Sequence, residues 1–164
     1  MKSNQLKVKL KTKDKKIYEV PIDLCKKVKF ISWLVEQACD EKKIILLREV
    51  EAKEFEKVLD YLKHYKNFEP KKIPKPFPER TDEKFLRSIL NDDWTFDFLQ
   101  QFNLEDAISI VNAANYLEID GLINILAAKL AYEMNTYDID IFKEKLGSEY
   151  DFNEDKNQET EELE

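Results

Sequence analysis

The sequence predicts an α+β fold, and three observations carry that prediction. A strict period-two run opens the chain at residues 6–12. A compact apolar run stands at 44–47, and most of the remainder follows the helical period. A proline-rich stretch at 67–82 divides an α/β first half from an all-helical second half. At 164 residues the chain has the length of one domain, enough to bury about two thirds of its unfolded surface.

Each element has a local reason. Leu6, Val8 and Leu10 alternate with Lys7, Lys9 and Lys11, which predicts a half-buried strand with a wet lysine face. Lysines also suit an edge, where they discourage further pairing. Residues 13–16 (KDKK) make a polar turn, residues 17–20 a second strand, and Pro21 closes the hairpin. In 28–39, Phe30, Leu34 and Ala38 recur at spacing four with Trp33 and Val35 beside them, the pattern of a short buried helix. Residues 44–47 read as a buried strand, with helix the weaker option for so short a run. Over 51–66, Phe55, Val58, Leu59, Leu62 and Tyr65 form one apolar face with lysines opposite, an amphipathic helix.

Four of the five prolines fall in 67–82, mixed with lysines, so this stretch is expected to be solvated and semi-extended. A PxxP ligand reading has no supporting flank. A short helix is expected near 83–90, then an aromatic cluster at Trp94, Phe96, Phe98 and Phe102. Asn103 suits an N-cap for a helix from 104 whose apolar face is Leu104, Ala107, Ile108, Val111 and Ala114. Asp120 is placed to cap a helix over 122–135. That helix carries more apolar surface than one core contact needs, which suits either closed core or a groove for partner helices. A small helix is expected at 139–146.

Composition excludes much chemistry. Gly121 and Gly147 are the only glycines, so no glycine-rich phosphate cradle can be written. His64 is the only histidine, which disfavours a triad, a His-rich zinc site or a haem pair. It reads as a structural or surface histidine near a helix C-terminus. Cys25 and Cys39 lack a CxxC spacing or an adjacent base and read as buried inert thiols. The acid pairs Asp92-Asp93 and Asp138/Asp140 read as caps or solvated charge. No catalytic, metal or cofactor constellation emerges, and no small-molecule substrate is implied. Without a signal peptide or an apolar run near eighteen residues, a soluble, reducing compartment is expected, with no membrane partner.

The formal charge of -7 lies wholly in residues 149–164, which hold eight acids and one lysine. The other 148 residues carry 26 acids and 26 bases. This end reads as a solvated segment or one that orders on a partner, with Tyr150 and Phe152 as its large anchors. Nucleic-acid binding is disfavoured, because a counterion-release mechanism needs a basic surface larger than one strand.

Residues 112–126, NAANYLEIDGLINIL, resemble the AANYLDIKGLL segment of the S-phase-kinase-associated adaptor family, the linker subunit of Skp–cullin–F-box ubiquitin ligases. Lys7 to Leu10, Tyr18 to Val20, Ile45 to Val50, the run YLKHYK at 61–66, and Asp93-Trp94 through Leu99 are similar in the same order. The resemblance spans about residues 6–155. It implies a BTB/POZ-type core of about three short strands wrapped by helices (residues 1–136), followed by a helical F-box-binding extension with an acidic tail (137–164).

It implies no enzyme activity and no cofactor. It implies two partners, a cullin and an F-box protein, and a cytoplasmic and nuclear location. Asn115 and Tyr116 fall on positions the family uses against the cullin. Ile123, Ala127, Leu130 and Met134, with Phe142, Leu146 and Phe152, would line the F-box groove. The alternative keeps the fold in a stable assembly that binds an F-box protein without a cullin. The chain departs from the family in its basic proline-rich loop, in lacking Thr-Pro within 135–140, and in lacking a tryptophan after Trp94. One clamp on the F-box is therefore expected to be absent or shortened.

Overall fold

The alternation at the start of the chain becomes a hairpin in the computed structural model, which describes residues 6–37, 44–75, 82–90 and 92–136. Strand β1 (Lys7–Lys11) pairs antiparallel with β2 (Ile17–Pro21), Leu10 opposite Tyr18 and Val8 opposite Val20. Lys15 turns the chain at φ 70°, and Thr12 and Lys15 close the turn through backbone hydrogen bonds. Strand β3 (Ile44–Leu46) then adds parallel to β1, so the sheet order is β2-β1-β3. The lysine-bearing strand is therefore the central one, not an edge. Its lysines mark the solvated face of the sheet, where Glu19 of β2 lies 3.9 Å from both Lys7 and Lys9. Leu10 is fully buried, but Leu6 precedes the strand and is exposed.

Two apolar segments are less buried than the sequence suggests. In β3, Ile45 and the following Leu47 point inward, while Ile44 and Leu46 point outward and remain 41% and 50% exposed. An edge strand covered on one face alternates, and the unbroken apolar run hid this. A single helical turn, α1 (Ile22–Cys25), precedes α2 (Lys29–Gln37) and was not anticipated. Only Ile31 of α2 is buried. Phe30, Leu34 and Val35 are half-buried, and Trp33 is 56% exposed. The helix lies on the rim of the sheet rather than within the core.

Helix α3 (Ala52–His64) matches its predicted face: Phe55, Val58, Leu59 and Leu62 are buried, as is Tyr65 just after it. Its start is fixed twice. The Glu54 carboxylate accepts from Glu51 N–H at 2.9 Å, and Asp14 of the hairpin turn accepts from Ala52 N–H at 3.0 Å. The proline-rich stretch is not wholly solvated. Pro70 and Ile73 are half-buried, and Ile73 packs on the core.

Among the described residues, the second half is four helices. Helix α4 (Glu83–Ile89) starts on Asp82, whose carboxylate accepts from Phe85 N–H at 2.7 Å. The aromatic cluster is itself a helix, α5 (Asp93–Gln100), capped by Asp92. Helix α6 (Leu104–Tyr116) is capped by Asn103 as expected, through a 2.7 Å bond from Asp106 N–H. Its buried face is Leu104, Ala107, Ile110, Ala113 and Ala114, since it packs between α3 and α7. Ile108 and Val111, expected inside, are only half-buried.

Helix α7 (Asp120–Thr136) begins one residue earlier than a capping Asp120 requires. Asp120 is instead the first helical residue and pairs with Lys29 at 3.2 Å. Gly121 allows a close approach: a Cβ there would lie 2.4 Å from the Tyr61 hydroxyl and 2.8 Å from Pro70 Cγ. One buried cluster runs from Leu10 through α3 to Ala128, joining both sides of the proline-rich stretch.

Candidate functional site

Tyr116 is the last residue of α6, and the turn that follows fixes its direction. Glu118 adopts φ 56°, its N–H donates to Asn115 C=O, and Ile119 N–H donates to Ala114 C=O. These two bonds form a Schellman ending, which normally carries glycine at the left-handed position. Here glutamate holds it. The helix therefore stops with Asn115 exposed and Tyr116 half-buried.

The Tyr116 ring rests on Phe30 of α2 at 4.8 Å between centroids. Its hydroxyl accepts from Arg48 N–H at 3.4 Å, a long contact. Around it opens a cavity of about 440 Å³ lined by Phe30, Leu34, Ile44, Leu46, Arg48 and others. The motif at 113–117 names Asn115 and Tyr116 but not this wall. The four-residue spacing of Phe30 and Leu34, and the two-residue spacing of Ile44 and Leu46, were its only signals. The site is apolar with one cationic residue on its rim, which suits a protein surface rather than a reacting substrate.

A second apolar face lies on α7. Leu122, Ile125, Leu126 and Ala128 face the core, while Ile123 and Leu130 are half-buried and Ala127 and Met134 exposed. Spacing by four, three and four residues places these last residues on one stripe. The helix is thus apolar on both sides, as its surplus of apolar residues suggested, and Met134 is 53% exposed. Lys129 is buried beside the stripe, 2.6 Å from Glu133. Phe142, Leu146, Phe152 and the 139–146 helix lie outside the described residues.

The remaining candidates for chemistry serve the fold. His64, the last residue of α3, stacks on Trp94 at 3.8 Å and places Nε2 2.8 Å from Asp92 Oδ2. Asp92 also accepts from Thr95 N–H (2.8 Å) and the Thr95 hydroxyl (2.7 Å). Burial raises the Asp92 pKa, but these three hydrogen bonds together outweigh it and hold the carboxyl below its ordinary value. Thr95 and Tyr65 hydroxyls meet at 2.5 Å. Burial pushes the Cys25 thiol up to about 11, the behaviour of an inert thiol; Cys39 lies outside the described residues. Among the described residues, no three His, Cys, Asp or Glu side chains cluster to hold a metal. Among the same residues, no helix is long and apolar enough to cross a membrane.

A small sheet wrapped by helices, with two separate apolar faces, defines an α+β module. The family profile described as "Skp1 family, tetramerisation domain" matches residues 6–67. The S-phase kinase-associated protein 1 homolog of Tetrahymena thermophila is 32% identical over 131 residues, covering 80% of this chain and 75% of that protein. SKP1-like protein 18 of Arabidopsis thaliana is 26% identical over 159 residues, covering 97% and 93%. SKP1-like protein 5 of the same plant is 30% identical over 120 residues, covering 73% and 66%. The chain belongs to the Skp1 family, and its fold is a POZ-type domain followed by helices.

Proposed function

We propose that this protein is a non-enzymatic adaptor of a Skp–cullin–F-box ubiquitin ligase. It would hold a cullin at Asn115 and Tyr116 and an F-box receptor on the α7 stripe of Ile123, Ala127, Leu130 and Met134. Phe142, Leu146 and Phe152 would extend that second surface from a helical extension beginning near residue 137. The observation that carries the reading is the pair of half-exposed apolar faces on adjoining helices, one at Tyr116 and one along α7. Family membership supports the adaptor role in general. The mechanism is positional: joining receptor to scaffold raises the local concentration of substrate near the ligase.

The test is a pull-down with two full-length variants. Asn115→Ala with Tyr116→Ala should lose cullin and keep the F-box protein. Leu130→Asp should do the reverse, because a charge cannot be buried in an apolar groove without a partner. Loss of both partners in either variant, with the fold intact, would remove the two-face assignment. Recovery of an F-box protein and no cullin from the native source would favour the stable assembly without a cullin.

A further inference from the structure

The outer face of the sheet is not simply wet. Register partners sit side by side on one face, so Lys9 is flanked by Glu19 and Ile44, and Lys11 by Ile17 and Leu46. Leu10, between the two lysines in sequence, is buried on the opposite face. Ile17, Ile44 and Leu46 are exposed, and Lys11 is half-buried between two of them. Three exposed aliphatic side chains thus frame two lysines. Strand β1 is the central one, so these lysines have no edge to protect from pairing.

This face joins the Tyr116 site without a break. Ile44 and Leu46 belong to both: they flank Lys9 and Lys11 on the sheet, and with Arg48 they line the cavity beside Tyr116. Lys7 stands apart. It lies opposite Pro21, and β3 pairs with Lys9 to Lys11 only, so Lys7 has no β3 neighbour.

The charge on this face is one-sided. Glu19 is the only acid within the three strands, shared between Lys7 and Lys9 at 3.9 Å from each. Glu49 is exposed next to Arg48 in sequence. Among the described residues, Lys11 and Arg48 make no ion pair. Residues 1–148 carry 26 acids and 26 bases, so the basic excess is local rather than general. Exposed aliphatics interleaved with unpaired cations fit a partner that brings apolar side chains ringed by carboxylates.

We propose that the docking surface at Tyr116 extends over the outer face of the sheet, and that its partner carries carboxylates that meet Lys9 and Lys11. The partner's apolar side chains would fill the cavity and cover Ile44 and Leu46. Lys9 and Lys11 would act mainly on the rate of encounter, since exposed charges steer association more than they hold a complex together. That this partner is a cullin rests on the function proposed above, whereas its acidic character is read from the sheet face.

The experiment measures association rates between the full chain and a purified cullin N-terminal domain by stopped flow. Lys9→Glu/Lys11→Glu should slow association about tenfold or more at low salt. The gap should close at about 1 M salt, where the screening length is about 3 Å. Lys9→Gln/Lys11→Gln, which sets no second acid beside Glu19, should slow it about threefold. Lys11→Glu should slow it more than Lys7→Glu, although both change the net charge equally. Unchanged rates in the two double variants overturn the proposal, and equal effects of Lys7→Glu and Lys11→Glu also overturn it by reducing the effect to net charge. In both of those cases, loss of the cullin by Asn115→Ala/Tyr116→Ala leaves the adaptor reading standing. A natural chain that does not bind the cullin removes the adaptor reading and this proposal together.

Discussion

The aromatic residues around His64 and those around Tyr116 use similar chemistry to opposite ends. At His64 the junction is tightly paired: the imidazole Nε2 by Asp92, the Tyr65 hydroxyl by Thr95, and the rings by Trp94 and Phe98 behind it. At Tyr116 the ring has one aromatic neighbour, the hydroxyl has a single long contact, and a cavity lies alongside. The first cluster joins α3 to α5 and is spent on stability. The second leaves apolar area exposed. An aromatic residue at a helix end therefore says little until its neighbours are counted.

The largest expected effect tests that contrast directly. Phe98→Ala should cost about 3–5 kcal/mol, because it removes a fully packed ring. Tyr116→Ala should cost well under half of that. Urea denaturation of both variants reads the difference, and equal losses would break the comparison.

Gly121→Ala comes next. The added methyl would press on the Tyr61 hydroxyl and Pro70, at an expected cost of about 1–3 kcal/mol, seen as a lowered Tm. Asp92→Ala should cost about 1 kcal/mol at neutral pH through the lost cap. The Asp92 carboxyl titrates below its ordinary 3.8 when folded, so its contribution is present above that value and is lost as pH falls through the folded pKa. The gap between the two proteins should therefore close on acidification, and a constant gap would detach the pKa shift from the junction.

The smallest effect has the opposite sign. Glu118→Gly should stabilise by about 1 kcal/mol, since a left-handed backbone strains any residue with a Cβ. A fall in Tm would mean that the glutamate side chain contributes more than the turn costs.

Much of the fold was legible in local pattern. The α3 face, the Asn103 cap and the hairpin itself follow from local pattern, and the sequence at 113–117 carried the family. What was not legible depends on neighbours distant in sequence. Lysines on β1 fit an edge or a wet face equally well, and only the parallel partner β3 decides between them. The run 44–47 hid its alternation because both faces are apolar. Helix α5 was obscured although Trp94, Phe98 and Phe102 recur at spacing four, because Phe96 between them is also buried and blurs that face. Asn115 and Tyr116 could be named from the motif, yet the wall of Phe30, Leu34, Ile44 and Leu46 is assembled only in three dimensions.

The turn at 117–119 has one more implication. Three residues separate the end of α6 from the start of α7, and both helices are anchored in the same buried cluster. Anything seated against Tyr116 and anything seated against the α7 stripe would share a frame with no joint between them. The chain acts in that respect like a machined bracket rather than a tether: it sets one separation and one mutual angle instead of a distribution. Two bodies bolted to such a piece need no search to find their alignment, because it was fixed when the chain folded.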